Sequence, residues 1–158
     1  MKNCICIIVI MAGSAASANC VPPFMPVFAC TILTADQRVE ICATPPDENG
    51  VSDTFSYNFA TGMEMSELYF ETDNNRFSMK YYRPDVEGVK TIGLGLVHGS
   101  HVYSVHVTGI IHSEFVSAAQ LHVHDDIAAF ESDRGETEIL RLYCDPDTVR
   151  VNWDFIRP

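Results

Sequence analysis

Histidines are the residues in this chain best able to do chemistry, and all six lie between positions 98 and 124: His98, His101, His106, His112, His122 and His124. In His122-x-His124 an extended chain sets both imidazoles on one face, about 7 Å apart. Asp125 and Asp126 follow directly. If Val102–Thr108 pairs antiparallel with Phe115–Val123 by matching apolar faces, His106 joins the same polar face. Three imidazoles with a carboxylate nearby form a ligand set for zinc or copper. The competing expectation is structural: alternation turns these side chains outward into solvent, where an imidazole needs no ion.

Other reactive residue types are less organised. Ser100, Ser104 and Ser113 sit near histidines, but no Gly-x-Ser-x-Gly elbow frames a nucleophile. Asp47 with Glu48, Asp85 with Glu87, and Asp125 with Asp126 fall in turn-rich segments, whereas acid–base catalysis needs one carboxyl buried. Gly93-Leu94-Gly95 lies inside an apolar run, where glycines mark a bulge or close packing rather than a phosphate cradle. The chain is therefore read as non-enzymatic, with no catalytic residue assigned. A recognition loop is the other candidate: Gly99, Ser100, His101 and Tyr103 would form a polar-tipped protrusion with an exposed-edge aromatic, able to enter a partner's cleft. As a plain hairpin turn the same loop has no function to perform.

The elements that must position these residues read as short β segments. They are Phe28–Leu33, Val39–Ala43, Thr54–Phe59, Glu67–Glu71, Phe77–Tyr82, Thr91–Val97, Val102–Thr108, Phe115–Val123, Ile127–Glu131, Glu138–Tyr143 and Val149–Phe155. Turn chemistry separates them, as at Pro45-Pro46-Asp47-Glu48-Asn49-Gly50, His98-Gly99-Ser100 and Asp145-Pro146-Asp147. Period two is plain where Tyr103, Val105 and Val107 alternate with Ser104, His106 and Thr108. It recurs where Val149, Val151, Trp153 and Phe155 alternate with Arg150, Asn152 and Asp154. Only Ser117–Leu121 and Ile127–Glu131 would accept a helical turn. Strands at this spacing predict an all-β, antiparallel sandwich or small barrel of about 8–11 short strands.

The first eighteen residues read as a secretory signal: Lys2, an apolar run from Ile5 to Met11, then small residues ending Ala16-Ser17-Ala18. The run is too short to remain as a membrane anchor, which takes roughly 20 apolar residues. Residues 19–27 form a proline-rich arm and 28–158 a single β domain. Expected location is periplasmic or secreted. The full chain carries 10 Lys+Arg against 21 Asp+Glu, a net charge of −11. That balance argues against nucleic acid and anionic lipid as partners, and suits a basic protein.

Cys20, Cys30, Cys42 and Cys144 remain after the leader, an even set without a Cys-x-x-Cys, as a disulfide framework requires. Three pairings are open. Cys30 and Cys42 flank a hairpin centred near Asp36, which favours joining them and leaves Cys20 to clamp Cys144. Cys30 to Cys144, tying the first strand to the last, is the main competitor.

Cys30 and Cys42, the aromatic strand Ser56-Tyr57-Asn58-Phe59, the segment from Gly99 to Val105 and the late Leu142-Tyr143-Cys144-Asp145 together resemble a group of small, largely uncharacterised periplasmic β-proteins of proteobacteria. In size, export and β content the chain is more remotely similar to periplasmic lysozyme inhibitors and to toxin-immunity proteins. Inhibitors of chicken-type lysozyme carry a Ser-Gly-x-x-Tyr loop, where this chain has Gly99-Ser100-His101-Val102-Tyr103. The resemblance implies binding and inhibition of a basic cell-wall hydrolase through that loop, with no cofactor. Zinc or copper on His106, His122 and His124 is the alternative function.

Overall fold

The computed structural model describes residues 20–62, 66–73, 75–80, 89–110, 116–132 and 138–156. The leader expected at 1–18 lies outside them, as do Asp85, Glu87, His112 and Ser113. The described residues form ten strands: β1 Met25–Thr31, β2 Gln37–Ala43, β3 Phe55–Thr61, β4 Leu68–Thr72, β5 Asn75–Lys80, β6 Val89–His98, β7 His101–Ile110, β8 Val116–His124, β9 Glu138–Tyr143 and β10 Arg150–Val151. A single α-helix among the described residues, α1 at Ile127–Ser132, follows β8. Sheet one runs β10-β1-β2-β3-β4 and sheet two β5-β6-β7-β8-β9, with antiparallel neighbours throughout. This is the antiparallel sandwich that the alternation predicts.

One core lies between the sheets. Val39 and Ile41 of β2 and Tyr57 of β3 bury against the same cluster as Leu94 and Leu96 of β6 and Val105 and Val107 of β7. Each fully buried side chain of this size contributes about 1.5–3 kcal/mol. The positions between them, Ser104, His106 and Thr108 on β7, therefore face the opposite side of sheet two. β1 starts at Met25, so the end of the expected proline-rich arm is already strand. Its Pro26 sits at a register shift between Pro26 and Phe28, where a residue without an N–H costs the ladder little.

Both disulfides form, but not in the favoured pairing. Cys20 joins Cys42 and Cys30 joins Cys144. The β1–β2 register sets Cys30 opposite Val39 and Cys42 opposite Pro26. Val39 and Cys42 are three residues apart on one strand, so they point to opposite faces, and Cys30 cannot reach Cys42. Cys30 lies instead on the core face, where Ile32 and Cys144 form a bridge between the start of the chain and the end of β9.

Two strand expectations are also corrected. Ile127–Glu131 is helix, because Asp126 caps it: its Oδ1 accepts from the Ala129 N–H at 2.7 Å. The buried Ala129 and Phe130 then form its inner face. Of Val149–Phe155 only Arg150–Val151 is strand. Asn152 ends it by a local turn, Oδ1 accepting from the Asp154 N–H at 3.1 Å and its carbonyl from Phe155.

Gly95 of β6 serves close packing. β6 and β7 pair from Val89 to His98 without a register shift, so no bulge is present. A Cβ on Gly95 would stand 2.7 Å from Val102 Cγ1 and 3.0 Å from Phe130 Cζ. Gly95→Ala is expected to destabilise the fold by about 1–3 kcal/mol, since both neighbours are buried and must shift. Urea unfolding checks this, and an unchanged midpoint would mean that α1 does not press on β6.

Candidate metal centre

The β7–β8 register places Val102 opposite His124, Ser104 opposite His122 and His106 opposite Gln120. All six share one face of sheet two by alternation. The pairing drawn from matched apolar faces thus brings His106, His122 and His124 together. Ring centroids of His106 and His122 are 4.3 Å apart, those of His122 and His124 5.8 Å, and those of His106 and His124 6.1 Å. One ring nitrogen from each lies within 4.8 Å of the others.

The outward, solvent-facing arrangement does not occur. His106, His122 and His124 are only 7%, 5% and 1% exposed. Helix α1 folds back over this face, and the Phe130 ring meets His106 and His124 edge-on at 5.9 and 5.6 Å. Across β7, Gly93 stands opposite His106 and Gly95 opposite Ser104, so β6 presents no side chain at these two positions, and Phe130 packs at Gly95.

The carboxylate beside the histidines is Glu138 rather than Asp125 or Asp126. Both aspartates are exposed, and Asp126 serves as the helix cap. Glu138 arrives from β9, its Oε1 accepting from His122 Nδ1 at 2.7 Å. Arg141 binds its other oxygen, Nε at 2.7 Å and Nη2 at 2.6 Å. Burial pushes the Glu138 carboxyl up, but the charge of His122 and the hydrogen bonds from Arg141 and His122 outweigh it and hold the group below its ordinary value. A carboxylate on Nδ1 fixes the ring orientation and leaves Nε2 as the ligating nitrogen, the arrangement common behind metal-bound histidines. Nε2 of His122 meets Gln120 Oε1 at 3.0 Å, and Nε2 of His106 meets Ser104 Oγ at 3.2 Å.

Chemically, the cluster is three nitrogen donors in a water-poor site with a charged partner behind one of them. Imidazole donors suit zinc and copper. Ligands of one tetrahedral ion at 2.0–2.1 Å stand about 3.4 Å apart, so the rings would close in by about an ångström on binding. Ser104 is fully buried, which leaves it inaccessible as a nucleophile. Asp47 organises its own loop, accepting from the N–H groups of Val51 and Asn49, which hold its carboxyl below the ordinary carboxylate range.

The recognition loop is divided. Gly99 and Ser100 are the exposed two-residue tip joining β6 to β7, with His98 and His101 as the closing pair and Gly99 at φ 61°. Tyr103, expected at an exposed edge, lies instead on the core face of a central strand. It is half-buried against Tyr57 at 5.4 Å and Phe70 at 5.3 Å. His98 stacks on Phe70 from outside, with centroids 4.3 Å apart.

No protein-family model matches the chain, and no curated protein or solved structure is significantly similar to it. Residues around the three histidines that the sequence reading missed are Glu138, Gln120 and Phe130. Gln120 had a signal, since it precedes His122 by two residues on a strand and must share its face.

Proposed function

We propose that this protein is an exported metal binder that holds one zinc or copper ion on His106, His122 and His124. The observation that carries the reading is the convergence of three imidazoles in a buried site, with Glu138 orienting one of them. Burying three histidines side by side on a sheet costs desolvation that an apolar trio would avoid, and a bound ion returns that cost. Two disulfides favour an oxidising compartment, in keeping with the leader-like start of the sequence. No helix among the described residues is long and apolar enough to cross a membrane. Protein purified without an affinity tag should contain about one zinc or copper per chain, or take one up with a rise in melting temperature. Absence of bound metal together with absence of a thermal response to either ion would remove the reading.

One observation favours a second reading. The Gly99-Ser100 tip projects from β6 and β7, ten residues each and the longest strands among the described residues, braced behind by Phe70, Tyr57 and Tyr103. A rigid, exposed tip on an acidic protein suits insertion into a basic partner such as a cell-wall hydrolase. Purified protein would then inhibit a lysozyme-type or amidase activity, and Ser100→Arg would relieve the inhibition by crowding the cleft. Absence of inhibition at micromolar concentration would sink this reading and leave the metal site untouched.

A further inference from the structure

Gln120 stands where a fourth ligand would be. It faces His106 across the β7–β8 ladder and shares its face with His122 and His124. His122 has one ring nitrogen committed to Glu138, which leaves Nε2 as the donor for an ion. Gln120 Oε1 lies 3.0 Å from that Nε2. Two ligands on one ion, at the bond lengths of zinc, stand between about 2.9 Å for a right angle and about 3.4 Å for a tetrahedral one. The nitrogen and the carboxamide oxygen already have the spacing that a shared ion imposes.

We infer that Gln120 Oε1 is the fourth ligand of the centre, closing a three-nitrogen, one-oxygen set around a divalent ion, zinc(II) or copper(II). The inference rests on the three-histidine reading above and specifies it. A proton now between His122 Nε2 and Gln120 Oε1 leaves to solvent as the ion takes its place, so binding releases a proton with no change of oxidation state. The carboxamide oxygen needs no deprotonation to ligate, and glutamine oxygen is a known weak ligand of copper. Ser104 is the rival, its Oγ 3.2 Å from His106 Nε2, but its hydroxyl also turns toward the His122 carbonyl at 3.5 Å. It would ligate well only after losing its own proton.

The consequence is functional. A zinc site that activates water keeps one position open, whereas structural sites are filled by protein. With Gln120 in the fourth place and the Phe130 ring over His106 and His124, the centre holds its ion and offers no position to a substrate. That is the coordination of a carrier or a structural centre, not of a hydrolase.

Cobalt(II) loaded into the full chain tests this, because its visible bands report coordination number and exogenous ligands. In the wild type the bands of a four-coordinate ion are expected, unchanged by excess azide. Gln120→Ala should still take one cobalt, with affinity lowered on the order of tenfold or more, and azide should now shift its spectrum. Gln120→Glu, which keeps an oxygen at the same place, should restore insensitivity to azide. Azide perturbing the wild type as strongly as Gln120→Ala, or identical spectra and affinities for the two, would overturn the assignment of Gln120. Failure of the wild type to bind cobalt or zinc at all would overturn the three-histidine centre itself, and Gln120 with it.

Discussion

Alanine at His122 is expected to abolish stoichiometric metal binding while leaving the sandwich folded. This ring is the hub of the site: its centroid is 4.3 Å from that of His106 and 5.8 Å from that of His124, and its Nδ1 holds Glu138 at 2.7 Å. Losing only the carboxylate behind a metal-bound histidine typically costs about 10- to 100-fold in affinity. Glu138→Gln should therefore weaken binding by about that factor, and His122→Ala by more, since it removes a ligand and its partner together. Glu138 keeps two hydrogen bonds from Arg141 in the alanine variant, so no buried carboxylate is stranded. A ligand at a thousandfold excess over its Kd stabilises the folded state by about 4 kcal/mol. For a domain of this size that is a rise in melting temperature on the order of 10 °C, present in the wild type and absent in His122→Ala. Equal thermal shifts in the two proteins would place the ion elsewhere.

Breaking the Cys30–Cys144 disulfide is expected to be the most damaging covalent change. It joins β1 of sheet one to the end of β9 in sheet two across a separation of 114 residues. Both sulfurs lie in the core, each residue 4% exposed. Chain-entropy arguments give about 4–5 kcal/mol for so long a loop and roughly 3 kcal/mol for a loop like that closed by Cys20–Cys42, whose separation is 22. Cys20 is also only half-buried at the start of the described chain. The paired alanine variant at Cys30 and Cys144 should lower the urea midpoint well below that of the pair at Cys20 and Cys42. Reversal of this order would mean that the two sheets are held by their shared core with little help from the bridge.

Much of this fold is legible in period-two patterns because the sheets share one apolar core. Tyr103, Val105 and Val107 on β7 must face the same way, so matching them to β8 brings His106 to His122 and His124 without any structure. What alternation cannot tell is whether the other face is open. α1 is six residues long, too short for a 3.6-residue period to emerge, and it turns a polar face into a buried one through Phe130. Glu138 was illegible for a different reason: it reaches His122 through the β8–β9 pairing, which carries its own register shift between Val123 and His124. The disulfides turned on a similar detail. A hairpin centred one to two residues away from Asp36 sends Cys42 to the opposite face from Cys30. Tyr103 looked like an exposed edge only because sequence order does not reveal that β7 is the middle strand of its sheet.

Diffraction from zinc-soaked crystals of the tag-free protein, collected on both sides of the zinc absorption edge, locates the ion directly. The account predicts one strong anomalous peak per chain, within bonding distance of His106, His122 and His124 and beneath the Phe130 ring. Peaks confined to surface carboxylates, with His106 keeping its hydrogen bond to Ser104 and His122 its bonds to Gln120 and Glu138, would contradict it.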